Sequence, residues 1–103
     1  MKIAKTPQPP YYAVIAPAEF SDDTPGYAEM AEQMLALAQH QPGFLGIENG
    51  FAPGFLLAVS YWESLESIDA WRRQVNHLAA KQEARARWFA GYRTRIARVD
   101  REY

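Results

Sequence analysis

The residues of this chain that could do chemistry are aromatic side chains and one histidine, gathered within 27 residues. Trp62, Trp71 and Trp88 are its three tryptophans, and His77 lies between the last two. Rings at this density build either a rigid core or the wall of an apolar pocket for a flat organic molecule. Histidine gains and loses a proton near neutral pH, so His77 is the candidate general base.

The walls of such a pocket are predicted to come from Trp71, Trp88, Tyr61 and Tyr12. The alternative is that the tryptophans pack in the core and that His77 bonds the backbone of its helix. No metal is expected, because the two histidines lie 37 residues apart without a carboxylate cluster at ligand spacing. The chain also lacks a glycine-rich phosphate loop and a G-x-S-x-G nucleophile motif, and we expect it to use no cofactor.

Composition narrows the class of protein. A length of 103 residues suits one domain, and 49% hydrophobic residues are enough for a packed core. A net charge of −1 provides no field that would attract nucleic acid or an anionic membrane. The absence of cysteine excludes disulfides and suits a reducing cytoplasm, which is the expected location. No apolar run approaches the roughly 18–20 residues of a membrane helix.

Apolar periodicity and turn signals predict six elements in the order β-α-β-β-α-β. Residues 1–10 are proline-rich and are predicted to be a loosely held arm rather than a signal peptide, and residues 11–103 form the domain. Thr24-Pro25 predicts the start of the first helix, and Ser64 can cap the second. The predicted strands cover residues 11–16, 44–51, 55–62 and 88–99.

The second helix decides whether Trp71 and His77 can serve one pocket. Six residues on a continuous helix correspond to a rotation of about 240°, which would put these two side chains on different faces. They share a pocket only if the helix bends or restarts near residues 74–77, and such a bend is predicted here.

The order of elements is that of the ferredoxin-like split unit, an α+β fold with a four-stranded antiparallel sheet and helices on one face. An uncovered apolar sheet face and exposed edges favour a homodimer that packs sheet against sheet. Arginine-rich residues 85–101 and the acidic residues earlier in the chain are either solvated faces or complementary surfaces of that dimer.

Three sequence blocks carry a resemblance over most of the domain. They are QPGFLGIE at 41–48, VSYWES at 59–64, and Ile68, Trp71, His77 and Ala80 followed by Trp88-Phe89. In this order they resemble the antibiotic biosynthesis monooxygenase-like family. The resemblance implies a dimeric α+β barrel, in which two ferredoxin-like sheets face each other and each subunit has a pocket between its sheet and its helices.

The family that the chain resembles is functionally mixed. Some members oxidise polycyclic aromatic or quinol-type molecules with O₂ and no metal or flavin, others bind and degrade haem, and many have no known activity. Members of the haem-degrading branch typically have an asparagine in the first strand and a histidine about ten residues after a tryptophan early in the second helix. This chain has Trp71 at the matching place but neither the asparagine nor a histidine at that spacing. Ala84 and Phe89 stand where related members usually have glycine and tyrosine.

The function predicted from these observations is a cofactor-independent monooxygenase that acts on an aromatic or quinol-like small molecule. His77 would be the base and the aromatic residues the walls. Two alternatives stay open: a protein that binds haem or another apolar small molecule without turnover, and a dimeric domain without catalysis.

Overall fold

The computed structural model describes the backbone of residues 2–82 and 85–103 and the side chains of residues 2–77 and 87–103. Ala80 and Ala84, which entered the family resemblance, lie outside the described side chains. In chain order the elements are β1 (Tyr11–Phe20), α1 (Tyr27–Gln39), β2 (Phe44–Ala52), β3 (Phe55–Trp62), α2 (Leu65–Gln82), α3 (Arg85–Trp88), β4 (Phe89–Tyr92) and β5 (Arg95–Val99).

The strands form one antiparallel sheet in the order β2-β3-β1-β4, and β5 also pairs with β1. The β2–β3 hairpin turns at Pro53-Gly54, where Gly54 has a φ of 72°. This topology confirms the predicted α+β ferredoxin-like class, because the two β-α-β halves interleave their strands in a single sheet.

The first and last strands differ from the prediction. β1 continues through Pro17 to Phe20, and the predicted final strand divides into β4 and β5. Proline has no amide hydrogen for the ladder. Its carbonyl oxygen can still accept, and in Pro17 it accepts a hydrogen bond of 3.1 Å from the amide of Arg93, which lies in the gap between β4 and β5. Trp88, predicted to open the strand, belongs to α3.

The helix starts differ from one another in how they are capped. Gly26, with a φ of 91°, precedes α1 and gives no side-chain cap, so the prediction of Thr24 as the N-cap is wrong. Ser64 caps α2 as predicted, since its Oγ accepts a hydrogen bond from the amide of Ser67 at 3.1 Å. α2 then continues unbroken from Leu65 to Gln82, which corrects the predicted bend at residues 74–77.

The two faces of the sheet have different environments. Trp62 contacts Trp71 of α2, and Phe20 contacts Tyr27 of α1, so the residues in register with them face the helices. Alternate residues face the other way and form what we call the open face, which includes Ile15, Pro17, Leu57, Val59 and Ala97. No helix that the structure describes is long and apolar enough to cross a membrane.

The N-terminal arm lies on the open face. The amide of Ala4 donates a hydrogen bond to Glu48 Oε2 at 2.9 Å, and Thr6 Oγ1 donates to Glu102 Oε2 at 2.7 Å. The arm is therefore held at two points, one on β2 and one on the segment after β5, where the sequence predicted loose attachment. Its Pro9–Pro10 peptide bond is cis.

Candidate functional site

Trp62 and Trp71 form a stacked pair between the sheet and α2. Their ring centroids lie 5.7 Å apart with an interplanar angle of 26°. Trp62 is fully buried, and its Nε1 donates a hydrogen bond to Ser60 Oγ at 2.9 Å, which satisfies the polar end of the indole. Phe44 meets Trp62 edge-on at 5.3 Å. Trp71 is only partly buried and forms the accessible side of this aromatic cluster.

Tyr12 lies next to this pair in the sheet. It is the cross-strand partner of Trp62, and both side chains therefore point toward the helices. Its side chain is partly buried. The arrangement offers a flat indole surface with a phenol nearby, which is the chemistry that stacks a planar aromatic molecule and hydrogen-bonds one of its oxygens.

Trp88 lies elsewhere, in a cluster under the start of α1. Its ring is 4% exposed and packs with Met30 and, edge-on, with Tyr27 at 5.7 Å. Its Nε1 donates a hydrogen bond to the carbonyl of Pro25 at 2.9 Å. These contacts fasten the loop before α1 to α3, and they correspond to the packing alternative for Trp88.

Tyr61 points to the open face, away from the Trp62–Trp71 pair. Its hydroxyl donates a hydrogen bond to Glu48 Oε1 at 2.6 Å. Burial, followed by this hydrogen bond and the charge of Glu48, raises the pKa of Tyr61 to about 12. The phenol therefore stays protonated and acts as a donor to the carboxylate rather than as a base.

Tyr11 forms a second phenol–carboxylate pair beside the first. Its ring meets that of Tyr61 edge-on at 5.8 Å, and its hydroxyl donates to Glu102 Oε2 at 2.7 Å. The Thr6 hydroxyl, whose oxygen lies 3.1 Å from that of Tyr11, lowers the pKa of Tyr11, but burial and the bonded Glu102 carboxylate outweigh it, so this pKa is raised overall. The hydrogen bonds from Thr6 and Tyr11 lower the pKa of Glu102.

Glu48 and Glu102 are not among the site residues predicted from the sequence. The hairpin register contained a signal for Glu48, because alternation from Pro53-Gly54 puts it on the same face as Tyr61. Glu102 lies beyond the last strand, 91 residues from its partner Tyr11, and no local pattern connects the two.

His77 is exposed on α2. The helix is continuous between Trp71 and His77, so the rotation of about 240° applies and directs the two side chains to different faces. The helix break that a shared pocket required is absent from this described segment, and the geometry does not favour His77 as the base for a molecule held against Trp71.

The five predicted site residues thus occupy four places. Tyr12 and Trp71 lie together with Trp62, whereas Trp88, Tyr61 and His77 are directed elsewhere. Within the described part of the chain, no group of three or more histidine, aspartate or glutamate side chains could hold a metal ion.

Comparison with known proteins gives a close relative. No protein-family model matches the chain. The chain is 48% identical over 101 residues to the Bacillus subtilis (strain 168) protein named "Uncharacterized protein YqjZ", and the match covers 97% of this chain and 89% of that protein.

Solved structures share the fold at low sequence identity. A Nitrosomonas europaea protein classed with the antibiotic biosynthesis monooxygenases has a TM-score of 0.71 at 14% identity, covering 90% of this chain and 91% of that one. SnoaB, described as a cofactor-independent oxygenase from Streptomyces nogalater, has a TM-score of 0.72 at 12% identity, covering 90% and 94%. A dimeric ferredoxin-like protein from an uncultured marine organism has a TM-score of 0.68 at 8% identity, covering 92% of both chains. The resemblance inferred from the sequence blocks is confirmed at the level of the fold.

Proposed function

This chain belongs to the same protein family as Bacillus subtilis YqjZ, and from that premise we propose that it is a cofactor-independent monooxygenase of the antibiotic biosynthesis monooxygenase type. The substrate would be a flat, electron-rich aromatic or quinol-like molecule. The observation that supports this proposal best is the Trp62–Trp71 stack, whose outer ring is partly accessible beside Tyr12. The description of SnoaB, which has the same fold, supports the reaction class.

The proposed reaction requires no redox group from the protein, because the substrate supplies the electrons. In this proposal an acidic substrate loses its first proton to solvent before it binds, and the resulting anion supplies the electrons itself: conversion of a ring CH₂ to C=O releases four electrons and two protons in all. One oxygen atom of O₂ enters the product and the other leaves as water. The protein needs to bind the ring, exclude bulk water and stabilise the anion. In this proposal Trp71 stacks on the substrate, and the Tyr12 hydroxyl donates a hydrogen bond to its oxygen.

A second candidate is a protein that binds such a molecule without turnover. The positions of two site residues predicted from the sequence, His77 and Tyr61, support this candidate. His77 lies on another side of α2, and Tyr61 is bonded to Glu48 on the opposite face of the sheet. Neither group is directed toward the Trp62–Trp71 pair to accept a substrate proton.

In either case we propose that the protein acts as a homodimer through its open face. Leu57 is 39% and Phe55 is 38% exposed on that face, beside the partly buried Ile15 and Val59. Exposed apolar surface of this extent on one sheet face favours association. The dimeric ferredoxin-like protein of similar fold supports this state.

An oxygen-electrode assay tests the activity. The protein, without added metal or flavin, is mixed with a panel of hydroquinones, polycyclic phenols and polycyclic ketones that have a ring CH₂, and O₂ uptake and oxidised product are measured. Trp71→Leu should lower the rate or the affinity at least about tenfold, because the stacking ring is lost. Phe51→Leu is the matched control, since that ring is 67% exposed on the hairpin and should not affect either quantity.

The outcome separates the candidates. Substrate-dependent O₂ uptake that depends on Trp71 supports the monooxygenase. Quenching of tryptophan fluorescence by the same compounds without O₂ uptake supports binding alone, and a Soret shift on addition of haemin would identify haem as the ligand. Neither binding nor O₂ uptake across the panel would contradict both candidates.

A further inference from the structure

The N-terminal arm presents alternate side chains to the sheet and away from it. Ala4 and Thr6 are partly buried, and Ala4 packs so closely on Gly46 that a Cβ at that glycine would lie 2.7 Å from the Ala4 Cβ. Lys2, Ile3 and Lys5 are exposed. Because Ala4 is held against the open face, Ile3 is directed outward from it.

Ile3 is an apolar side chain that its own chain does not cover. It is 82% exposed, although its neighbour Ala4 is fixed by the hydrogen bond to Glu48. Glu48 is in turn bound by Tyr61, so both of its carboxylate oxygens are used. The arm is thus held in a defined position with an isoleucine pointing to solvent. Fixing the arm costs conformational entropy, and in the single chain no burial of the isoleucine side chain offsets that cost.

The other end of the open face contains a shallow cleft of about 260 Å³. Pro17 and Phe55 give it an apolar wall, and Glu19 lies beside Phe55 in the strand register. Arg93 and Arg95 line its far side. Its lining therefore has apolar surface for an aliphatic side chain and charges of both signs around it.

The arm cannot reach the cleft of its own chain. Ala4 is held over Gly46, which is in the same cross-strand row as Ala13 of β1. The cleft at Pro17 and Glu19 lies four to six residues farther along β1, roughly 13–20 Å at about 3.3 Å per residue. Ile3 is one residue from Ala4, about 3.8 Å along the chain.

We infer that Ile3 of one copy occupies the cleft at Pro17 and Phe55 of a second copy, so that the two arms act as reciprocal straps across the homodimer. A two-fold axis across the strands brings the arm end of one open face against the cleft end of the other, and the contact then occurs twice. The inference rests on the homodimer proposed above and identifies the residues that determine its register.

The charges of the two ends are complementary in this arrangement. Lys2 and Lys5 flank Ile3 and meet Glu19 of the second copy, while the exposed Glu102 beneath the arm meets the second copy's arginines at the cleft. Both ends carry charges of both signs, and this arrangement puts unlike charges opposite each other, a form of complementarity that selects register and partner.

Engineered cysteines test this contact directly, because the chain has no cysteine of its own. The double variant Ile3→Cys/Phe55→Cys should form an intermolecular disulfide under mild oxidation and run as a covalent dimer without reductant. The matched control is Ile3→Cys/Leu65→Cys, since Leu65 is 47% exposed at the start of α2 and should not be bridged. Equal cross-linking of both pairs would overturn the inference.

Dimer affinity gives an independent measure. In sedimentation experiments Ile3→Ser should weaken dimerisation on the order of 10- to 100-fold, because two copies of this side chain lose their burial. Leu65→Ser should leave it unchanged, and circular dichroism should show both variants folded. A wild-type dimer that Ile3→Ser does not weaken would overturn the strap alone, whereas a wild-type monomer would overturn the proposed homodimer and the strap with it.

Discussion

Tyr61 and Trp62 are neighbours in the sequence, but they have opposite roles in the fold. β3 directs Trp62 toward the helices, where it stacks on Trp71, and directs Tyr61 to the open face, where it donates to Glu48. The ring that builds the candidate site and the phenol that binds Glu48, the acceptor for the arm, therefore differ by one position in the sequence. At this scale the hydrogen-bonded partner determines the role: a phenol bonded to a carboxylate is a donor, and its ionisation is opposed.

The first prediction concerns the ionisation of Tyr61. Its pKa in the folded protein is about 12, above the ordinary value of about 10. A raised tyrosine pKa contributes stability that is fully present below about pH 10 and is lost as the pH rises through 12. A spectrophotometric titration of tyrosinate, taken as the difference between the wild type and Tyr61→Phe, should have its midpoint near 12. A midpoint near 10 would contradict the Tyr61–Glu48 bond, as would equal losses of stability in the two proteins between pH 9 and pH 11.

The connection between α1 and β2 shows how one element positions the next. Gly43 has a φ of 83°, a left-handed conformation that favours glycine, and its carbonyl accepts a hydrogen bond from the amide of Glu63 at 2.8 Å. A Cβ at this position would collide with the side chain of Ser67 in the first turn of α2. This close approach brings the end of α1 to the start of α2 and thereby sets where α2, with Trp71, lies on the sheet.

Replacing this glycine should be costly for two separate reasons. Gly43→Ala should lower the free energy of unfolding by roughly 2–5 kcal/mol, because left-handed strain adds to the displacement of Ser67. Gly54→Ala is the control, since Gly54 has a similar φ of 72° but open space around it, and it should cost only about 1–2 kcal/mol. Chemical denaturation of the two variants measures the difference. Equal losses would mean that the contact with Ser67 adds nothing.

At the scale of the whole molecule, the sheet has one face covered by helices and one face open. The arm covers part of the open face by binding Glu48 and Glu102, and the apolar residues around Leu57 stay accessible. In the proposed homodimer each sheet would cover the open face of the other, which would bury apolar surface that a single chain of 103 residues leaves accessible.

Sedimentation at low micromolar concentration tests this layout. The wild type should have about twice the chain mass of 11.7 kDa. Leu57→Asp should be monomeric, because the change would bury an unpaired carboxylate between the two sheets. Leu65→Asp introduces the same charge at a similarly exposed leucine on α2 and should remain dimeric. A monomeric wild type, or a dimeric Leu57→Asp, would exclude the open face as the interface.

The sequence by itself determined the order of the first five elements, the β2–β3 hairpin with β3 at Phe55–Trp62, and the Ser64 cap of α2. These features depend on local periodicity, turn residues and capping hydroxyls, which act over a few positions. The fold class followed from them, whereas the resemblance to the monooxygenase-like proteins was carried by the three sequence blocks. The pairing of Tyr12 and Trp71 with Trp62 was only partly visible, because the three residues come from three different elements.

Only the tertiary structure decided which of the candidate residues meet. Strand alternation separated Tyr61 from Trp62, and the continuous α2 separated His77 from Trp71. The final strand divided opposite Pro17, and the arm bound Glu48 and Glu102 across separations of 44 and 96 residues. Such contacts depend on strand register and on how helices are placed on the sheet. They are fixed by burial in the assembled fold, not by any neighbour in the sequence.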